Sequence, residues 1–194
     1  MTDDGKWYVI YAKAGNEIKV QNLIDSLFKS LNNKLIRTLI PKRAIFERTE
    51  KKRVKKIKYL FPGLVFVKTD NISEIYNEIV NTPYHLDIIE NEMKPTKVKE
   101  DEMQVILSMI NESDIIEFSI GIKIGRKVKI VDGPLKDFGG VIEKIDNRKG
   151  RAKVRLSISG NVYLVDLGIY VVEDINQLIS IKTGELSEQK ISSY

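Results

Sequence analysis

The stretch Trp7 to Glu17 reads WYVIYAKAGNE and joins a strand pattern to the start of a helix. Aromatic and β-branched residues at the beginning of this stretch favour a strand. The helix that follows has apolar residues at i, i+3, i+4, i+7, i+8 and i+11, which is the spacing of one buried stripe. These positions are Val20, Leu23, Ile24, Leu27, Phe28 and Leu31. The chain therefore opens with a strand that leads into an amphipathic helix.

Strands and helices continue to alternate in the next part of the chain. Residues 35–48 favour a second strand that is interrupted or begins again at Pro41, and LFPGLVFVK (60–68) favours a buried one. Asn71 with Glu74 predicts a helix cap. A short strand near 86–89 and a helix after Pro95 complete the pattern. This order predicts an α+β fold, with an antiparallel sheet flanked by helices.

The pattern changes after an acidic segment. Residues 111–121 lack helical periodicity and favour a linker. Short strands with turn signals then predict a small all-β barrel. A polar tail follows, with a helical turn over 175–181. We therefore divide the chain into 1–110, the linker 111–121, a barrel over 122–174 and a tail over 175–194.

Composition argues against several classes of function. The chain has no cysteine, which excludes disulfides and thiolate metal sites. The N-terminus does not resemble a signal peptide, and no apolar stretch approaches the roughly 20 residues that cross a bilayer. The single histidine, His85, follows Pro83 and Tyr84 in an expected turn. We therefore expect a cytoplasmic protein that is not an enzyme and binds no metal, cofactor or membrane.

Positive charge is concentrated in one segment. The chain has a net charge of +5, but residues 42–58 alone contain nine basic and two acidic residues, a net charge of +7. Lysine and arginine in such numbers favour contact with a polyanion such as nucleic acid, the alternative being a solvated charged hairpin. We expect the part of this segment that follows the strand over 35–48 to form a hairpin tip or a mobile loop.

Four motifs give the chain a resemblance to the NusG family. They are WYVIYAKAGNE (7–17), LFPGLVFV (60–67), VNTP (80–83) and the KOW motif GRKVKIVDGPLKDFGGVIEKIDNRKGRAKV (125–154). KOW sequences also occur in ribosomal proteins, so the order of all four motifs carries the match. The resemblance implies an NGN-like domain over 1–110 and an SH3-like KOW barrel over 122–174.

The resemblance also implies partners. The family's N-terminal domain binds the clamp helices of the largest RNA polymerase subunit, and its KOW domain recruits other factors of the elongation complex. Its polymerase-facing residues map onto Tyr11, Phe61, Pro62, Gly63 and Phe66. We expect these aromatic rings to lie on a sheet face that the helices leave bare, where aromatic anchors commonly dominate binding. The implied protein is a monomer that acts by binding.

Two segments depart from the general factor of the family. The runs IPKR (40–43) and VDLGIYVVE (165–173) resemble specialised antiterminators of the LoaP type, which recognise a hairpin in nascent RNA. Non-template DNA is the competing ligand. The alternatives are a general NusG, which couples polymerase to the ribosome or a termination factor, and a ribosome-associated KOW protein. The candidate nucleic-acid-binding residues are Lys13, Lys19, Lys42, Arg43, Arg48, Lys51, Lys52, Arg53, Lys55, Lys56, Lys136, Arg148, Lys149 and Arg151.

Overall fold

The opening strand lies inside a four-stranded sheet. The computed structural model describes residues 5–31, 35–50, 52–81 and 95–182. From one edge to the other, the sheet contains β2 (Leu35–Leu39), β5 (Leu64–Thr69), β1 (Lys6–Tyr11) and β6 (Thr96–Lys97). Strand β1 is antiparallel to both of its neighbours. The N-terminal motif therefore occupies a central position in this sheet.

Two amphipathic helices bury one face of the sheet. They are α1 (Glu17–Leu31) and α2 (Ile72–Val80). The core on this face comprises Ile10, Ala12, Val20, Ile24, Phe28, Ile40, Val65, Val67, Ile75 and Ile79. Helix α2 begins at the predicted cap, where the Asn71 side-chain oxygen accepts a hydrogen bond from the Glu74 amide at 3.3 Å. The buried stripe and the cap predicted from the sequence are both confirmed.

The opposite face of the sheet is also buried. Phe66 lies opposite Val9 on one neighbouring strand and opposite Leu39 on the other, so the three side chains share a face. All three are fully buried, and Trp7 on the same face is 2% exposed. Helix α3 (Glu100–Met109) follows β6 and contributes the fully buried Met103. The central strands of this sheet are therefore buried on both sides.

The basic segment forms two strands. Strands β3 (Lys42–Arg48) and β4 (Arg53–Tyr59) are neighbours in a three-stranded sheet of order β4-β3-β7, and β7 comprises Ile115–Ile116. We call residues 42–58 the basic hairpin. The prediction that the basic run forms a tip or loop is wrong for residues 53–58, which lie in β4. The predicted linker 111–121 includes β7 and the first residues of the next strand.

The C-terminal part forms a five-stranded sheet, here called the KOW sheet. Its strands are β8 (Ser119–Ile124), β9 (Lys127–Asp132), β10 (Val141–Asp146), β11 (Arg151–Ile158) and β12 (Asn161–Val172). Their order is β10-β11-β12-β8-β9, with β12 parallel to β8. Helix α4 (Ile175–Lys182) follows where a helical turn is predicted. The α+β fold class is confirmed.

The contacts divide the chain into two compact units. The first comprises Met1–Pro41, Tyr59–Gln104 and Ile158–Asn161. The second comprises Lys42–Lys58, Val105–Ser157 and Val162–Tyr194, so the basic hairpin and the KOW sheet belong to one unit. The predicted domain boundaries place the hairpin with the N-terminal domain, and they stay a prediction.

Some predictions concern other parts of the chain. The strand near 86–89, the turn at Pro83 and the histidine His85 lie outside the described residues. Within the described residues, none of the helices combines the length and apolar character needed to cross a membrane.

Candidate nucleic-acid and polymerase interfaces

The structure brings the five candidate polymerase-binding residues together. Tyr11 ends β1 opposite Leu64, and the Phe61-Pro62-Gly63 turn leads directly into β5. The Ala12 amide donates a hydrogen bond to the Gly63 carbonyl oxygen at 2.8 Å. The rings of Phe61 and Phe66 lie 5.9 Å apart between centroids. The end of one motif strand and the turn before the other therefore form one cluster.

The expected exposure of this cluster is wrong for two of its three rings. Phe61 is 1% exposed and Phe66 is fully buried, whereas Tyr11 is half-buried and Pro62 is exposed. The expectation assumed that helices cover only one face of the sheet. Because the face that carries Phe66 is buried as well, these rings stabilise the turn from within. The accessible part of the cluster is Tyr11 with Pro62.

A buried carboxylate that the sequence analysis missed holds the turn in place. Glu17 at the start of α1 is fully buried. Its two carboxylate oxygens accept hydrogen bonds from the amides of Gly15 at 2.8 Å and Gly63 at 2.7 Å. A carboxylate is buried at low cost only when such donors replace its water. Glu17 thus ties the AGNE motif to the Pro62-Gly63 turn.

The basic hairpin uses several of its cations inside the second unit. Lys55 pairs with Glu117 at 3.0 Å and lies 5.8 Å from the centre of the Phe118 ring. Lys58 pairs with Glu47, and an Arg53 guanidinium nitrogen donates to the Arg148 carbonyl oxygen. These side chains fix the hairpin rather than present free charge. Of these three cations, Arg53 and Lys55 are candidate nucleic-acid ligands, and both already have partners within the unit.

Three further cations of the hairpin face solvent. The side chains of Arg48, Lys52 and Lys56 are exposed and form no ion pair with any described residue. Lys42 is half-buried, and its backbone amide donates to the Asp114 carbonyl oxygen at 2.8 Å. Lys51 lies outside the described residues. The available charge of the hairpin is thus concentrated around its turn and on β4.

Asp166 on β12 connects the hairpin with the KOW sheet. Its carboxylate lies 3.1 Å from the Lys153 ammonium and 3.4 Å from the Arg151 guanidinium. Its backbone carbonyl oxygen accepts a hydrogen bond from Arg43 of the hairpin at 2.5 Å. Arg151 also donates to the Phe46 carbonyl oxygen at 2.9 Å. One acidic residue therefore organises three cations from two strands, β3 and β11.

These contacts shift the protonation equilibria of Asp166 and Arg43. Burial acts to raise the pKa of Asp166, but the Lys153 hydrogen bond and the charges of Lys153, Arg151 and Arg43 outweigh it and lower that pKa below 3.8. Burial lowers the pKa of Arg43, the Asp166 charge acts to raise it, and Arg151 lowers it further. The negative charge of Asp166 therefore offsets the hydration that the Arg43 guanidinium loses on burial.

Two glycines allow the hairpin to approach the KOW sheet closely. A Cβ atom at Gly168 would lie 2.6 Å from the Ala44 carbonyl oxygen and would overlap the Phe118 ring. Gly150 has a φ of +62°, and a Cβ there would lie 3.2 Å from both the Phe46 ring and the Ile169 carbonyl oxygen. A side chain at Gly168 would require the strands to separate, and one at Gly150 would strain a backbone with positive φ.

An aromatic cluster fills the space that this close approach encloses. The ring centroid of Phe46 on β3 lies 4.6 Å from that of Phe118 and 5.5 Å from that of Tyr170 on β12. Phe46 and Tyr170 are 6% and 8% exposed. Burying such rings stabilises the contact by about 2 kcal/mol each. The hairpin is therefore packed on the KOW sheet through a small apolar core.

The remaining candidate cations lie on different surfaces. In the second unit, Lys136, Arg148 and Lys149 are exposed on turns, whereas Arg151 is occupied by Asp166 and Phe46. In the first unit, Lys13 and Lys19 are exposed beside β1 and on α1. The described residues contain no group of three potential metal ligands.

The fold and these surfaces define the class of the protein. It is a two-unit α+β chain in which an α/β sheet accompanies a KOW sheet with a cationic hairpin. The family model described as "Transcription termination factor nusG" matches residues 5–107. This match covers more than half of the chain. The chain therefore belongs to the NusG family.

Individual relatives extend this similarity over both units. The transcription termination/antitermination protein NusG of Pasteurella multocida is 29% identical over 179 residues, which cover 90% of this chain and 98% of the relative. The Thermus thermophilus protein of the same name is 28% identical, with 84% and 94% covered. A solved structure, "Domain interaction in Thermotoga maritima NusG", has a TM-score of 0.52 and 29% identity, covering 85% and 94%.

The geometry around Asp166 predicts a pH-dependent stability. Because its pKa is lowered by folding, its contribution is present above the unfolded-state pKa of about 3.9 and is lost as the pH falls through the lower folded value. We expect Asp166→Asn to lower the free energy of unfolding by about 1 kcal/mol at pH 7, a value reduced by partial exposure. Urea denaturation of the full chain measures this difference.

The difference between wild type and Asp166→Asn should shrink as the pH falls from the unfolded-state pKa of about 3.9 through the lower pKa of the folded state, at which the folded carboxyl group becomes neutral. Asp137→Asn is the matched control, since Asp137 is exposed and forms no ion pair with a described residue. The assignment fails if the Asp166→Asn difference is the same at every pH, or if the control shows an equal one.

Proposed function

We propose that this NusG-family chain is a specialised antitermination factor of the LoaP type, which binds RNA polymerase and a hairpin in nascent RNA. One observation carries the specialised assignment. The IPKR and VDLGIYVVE segments, which distinguish the sequence from the general factor, meet where Arg43 donates to the Asp166 carbonyl oxygen. Gly168 in the second segment lies against Ala44, which directly follows the first. The two segments that differ from the general factor thus contact each other, and together they hold the cationic hairpin on the KOW sheet.

The polymerase interface is proposed to centre on Tyr11 and Pro62. Both residues are accessible, and both are held by the buried neighbours Phe61, Phe66 and Glu17. A tyrosine on a rigid strand end is a favourable anchor, because it adds apolar area at little conformational cost. This surface is proposed to bind the clamp helices of the largest polymerase subunit. The resulting action is binding rather than catalysis.

The RNA contact is proposed to use exposed cations of the second unit. Arg48, Lys52 and Lys56 of the hairpin are exposed, as are Arg148 and Lys149 on the turn beside it. The Arg53 hydrogen bond to Arg148 joins the two groups into one surface. Double-stranded RNA is recognised mainly through its shape and backbone, so a cationic strand surface suits the stem of a hairpin.

Binding of the clamp-helix fragment of RNA polymerase tests the first half of the proposal. We expect Tyr11→Ala to weaken binding at least tenfold, since an anchor of this kind contributes about 2 kcal/mol. Tyr76→Ala is the control, because Tyr76 is also half-buried but lies on α2, across the sheet from Tyr11. Titration calorimetry measures both. Absent binding by wild type, or equal losses in the two variants, would contradict this interface.

RNA binding measured against salt concentration tests the second half. We expect a steep decrease of affinity with salt, whose slope falls by about two when Lys52 and Lys56 both become Gln. Lys127→Gln with Lys129→Gln removes the same charge from exposed positions on β9. Equal slopes in the two double variants would refute the assignment to the hairpin. Tighter binding to single-stranded DNA than to hairpin RNA would instead indicate the non-template strand.

A further inference from the structure

A cavity of about 260 Å³ lies in the second unit between the basic hairpin and the KOW sheet. It is partly open, and its lining includes Phe46 and Arg53 from the hairpin and Tyr170 from β12. Asn147 on the turn before β11 and Gln177 on α4 also contribute to the lining.

The cavity has an apolar floor. Phe46 and Tyr170 are almost fully buried and meet edge to face, with their ring centroids 5.5 Å apart. Ile169 and Val171 extend the lining along β12. Its volume falls just below the range of about 300–1,000 Å³ that is typical of sites for small ligands. A cavity of this size and lining is suited to one small, flat group.

Polar groups at the rim still have hydrogen-bonding capacity. The Gln177 side-chain oxygen accepts from the Glu173 amide at 3.0 Å, while its NH₂ group makes no hydrogen bond to a described residue. The side-chain amide of the exposed Asn147 likewise makes no hydrogen bond to a described residue. Arg53 uses one guanidinium nitrogen for the Arg148 carbonyl oxygen, and its other donors remain. The rim thus offers both donors and acceptors, the groups that recognise the edge of an unpaired nucleobase.

Two cations lie on the same turn that contributes Asn147 to the cavity lining. Arg148 and Lys149 directly follow Asn147 and are exposed. The Lys149 ammonium lies 4.0 Å from the Asp146 carboxylate, a long ion pair on an exposed surface. A nucleotide whose base entered the cavity would therefore have basic side chains available for its phosphates. An aromatic floor with cations beside it matches the stacking surface and the positive charge with which proteins bind single-stranded RNA.

We propose that this cavity receives one unpaired base of the bound RNA, from the loop or a bulge of the hairpin, while the surrounding cations hold its backbone. The inference rests on the proposed RNA contact and deepens it, since it adds recognition of an unpaired nucleotide to the binding of a stem. Base contacts specify sequence, whereas phosphate contacts only position the ligand. The cavity is then the part of the surface that distinguishes a looped RNA from a duplex.

Two variants of the full chain, both with the net charge of wild type, test the proposal. Asn147→Ala with Gln177→Ala removes the amide groups, and Val171→Phe fills the cavity. The probes are a stem closed by a randomised RNA loop and a fully paired RNA duplex of the same length. We expect each change to weaken binding of the looped RNA about tenfold, within the range measured for the loss of one stacked base. Binding of the duplex and the salt slope should stay unchanged, since no charge is altered.

The control and the failed outcomes separate this proposal from the proposed function. Gln104→Ala removes an exposed helical glutamine of the first unit and should bind both RNAs like wild type. If wild type binds neither RNA, the proposed RNA contact itself fails, and this inference fails with it. If wild type binds with a steep salt slope but both cavity variants bind the looped RNA normally, the base site alone is refuted. Equal weakening for loop and duplex would also refute it.

Discussion

The contact between strands β3 and β12 determines how the second unit displays its charge. Ala44 on β3 approaches β12 so closely that only glycine fits at position 168. Phe46 then packs on Tyr170, and Arg43 reaches the Asp166 carbonyl oxygen. Three interactions therefore lie at the same place: the close backbone approach, the small apolar core and the Arg43 hydrogen bond. Without this contact, a hairpin of net charge +7 would lose the apolar packing that holds it on the KOW sheet.

Docking separates the cations of the hairpin into two groups with different roles. Arg43, Arg53 and Lys55 bind oxygens of the same unit, and this interaction offsets their lost hydration. Arg48 and Lys56 remain exposed and can bind phosphates. The internal group thus holds the external group in a fixed arrangement. A fixed cationic surface loses less entropy on binding than a mobile loop with the same charge.

The sequence predicts the elements whose pattern is local, and it fails where burial depends on distant segments. The α1 stripe and the Asn71 cap follow from spacing alone, and both are confirmed. The burial of Phe66 could not be read from its strand, because it depends on what covers the second sheet face. Strand β4 was missed because exposed lysines hide its alternation. Two residues that interrupt the apolar run of β12, Asp166 and Gly168, could have indicated the contact between β3 and β12.

Amide hydrogen exchange across residues 42–58 tests the central contact most directly. A Cβ atom at position 168 cannot fit unless the hairpin moves, whereas one at Gly139 meets nothing within 4 Å. We expect Gly168→Ala to accelerate exchange in the hairpin at least tenfold relative to Gly139→Ala, with the strands of the first unit unchanged. Hairpin exchange that is the same in both variants would show that the two strands are not in contact, and the account would be wrong.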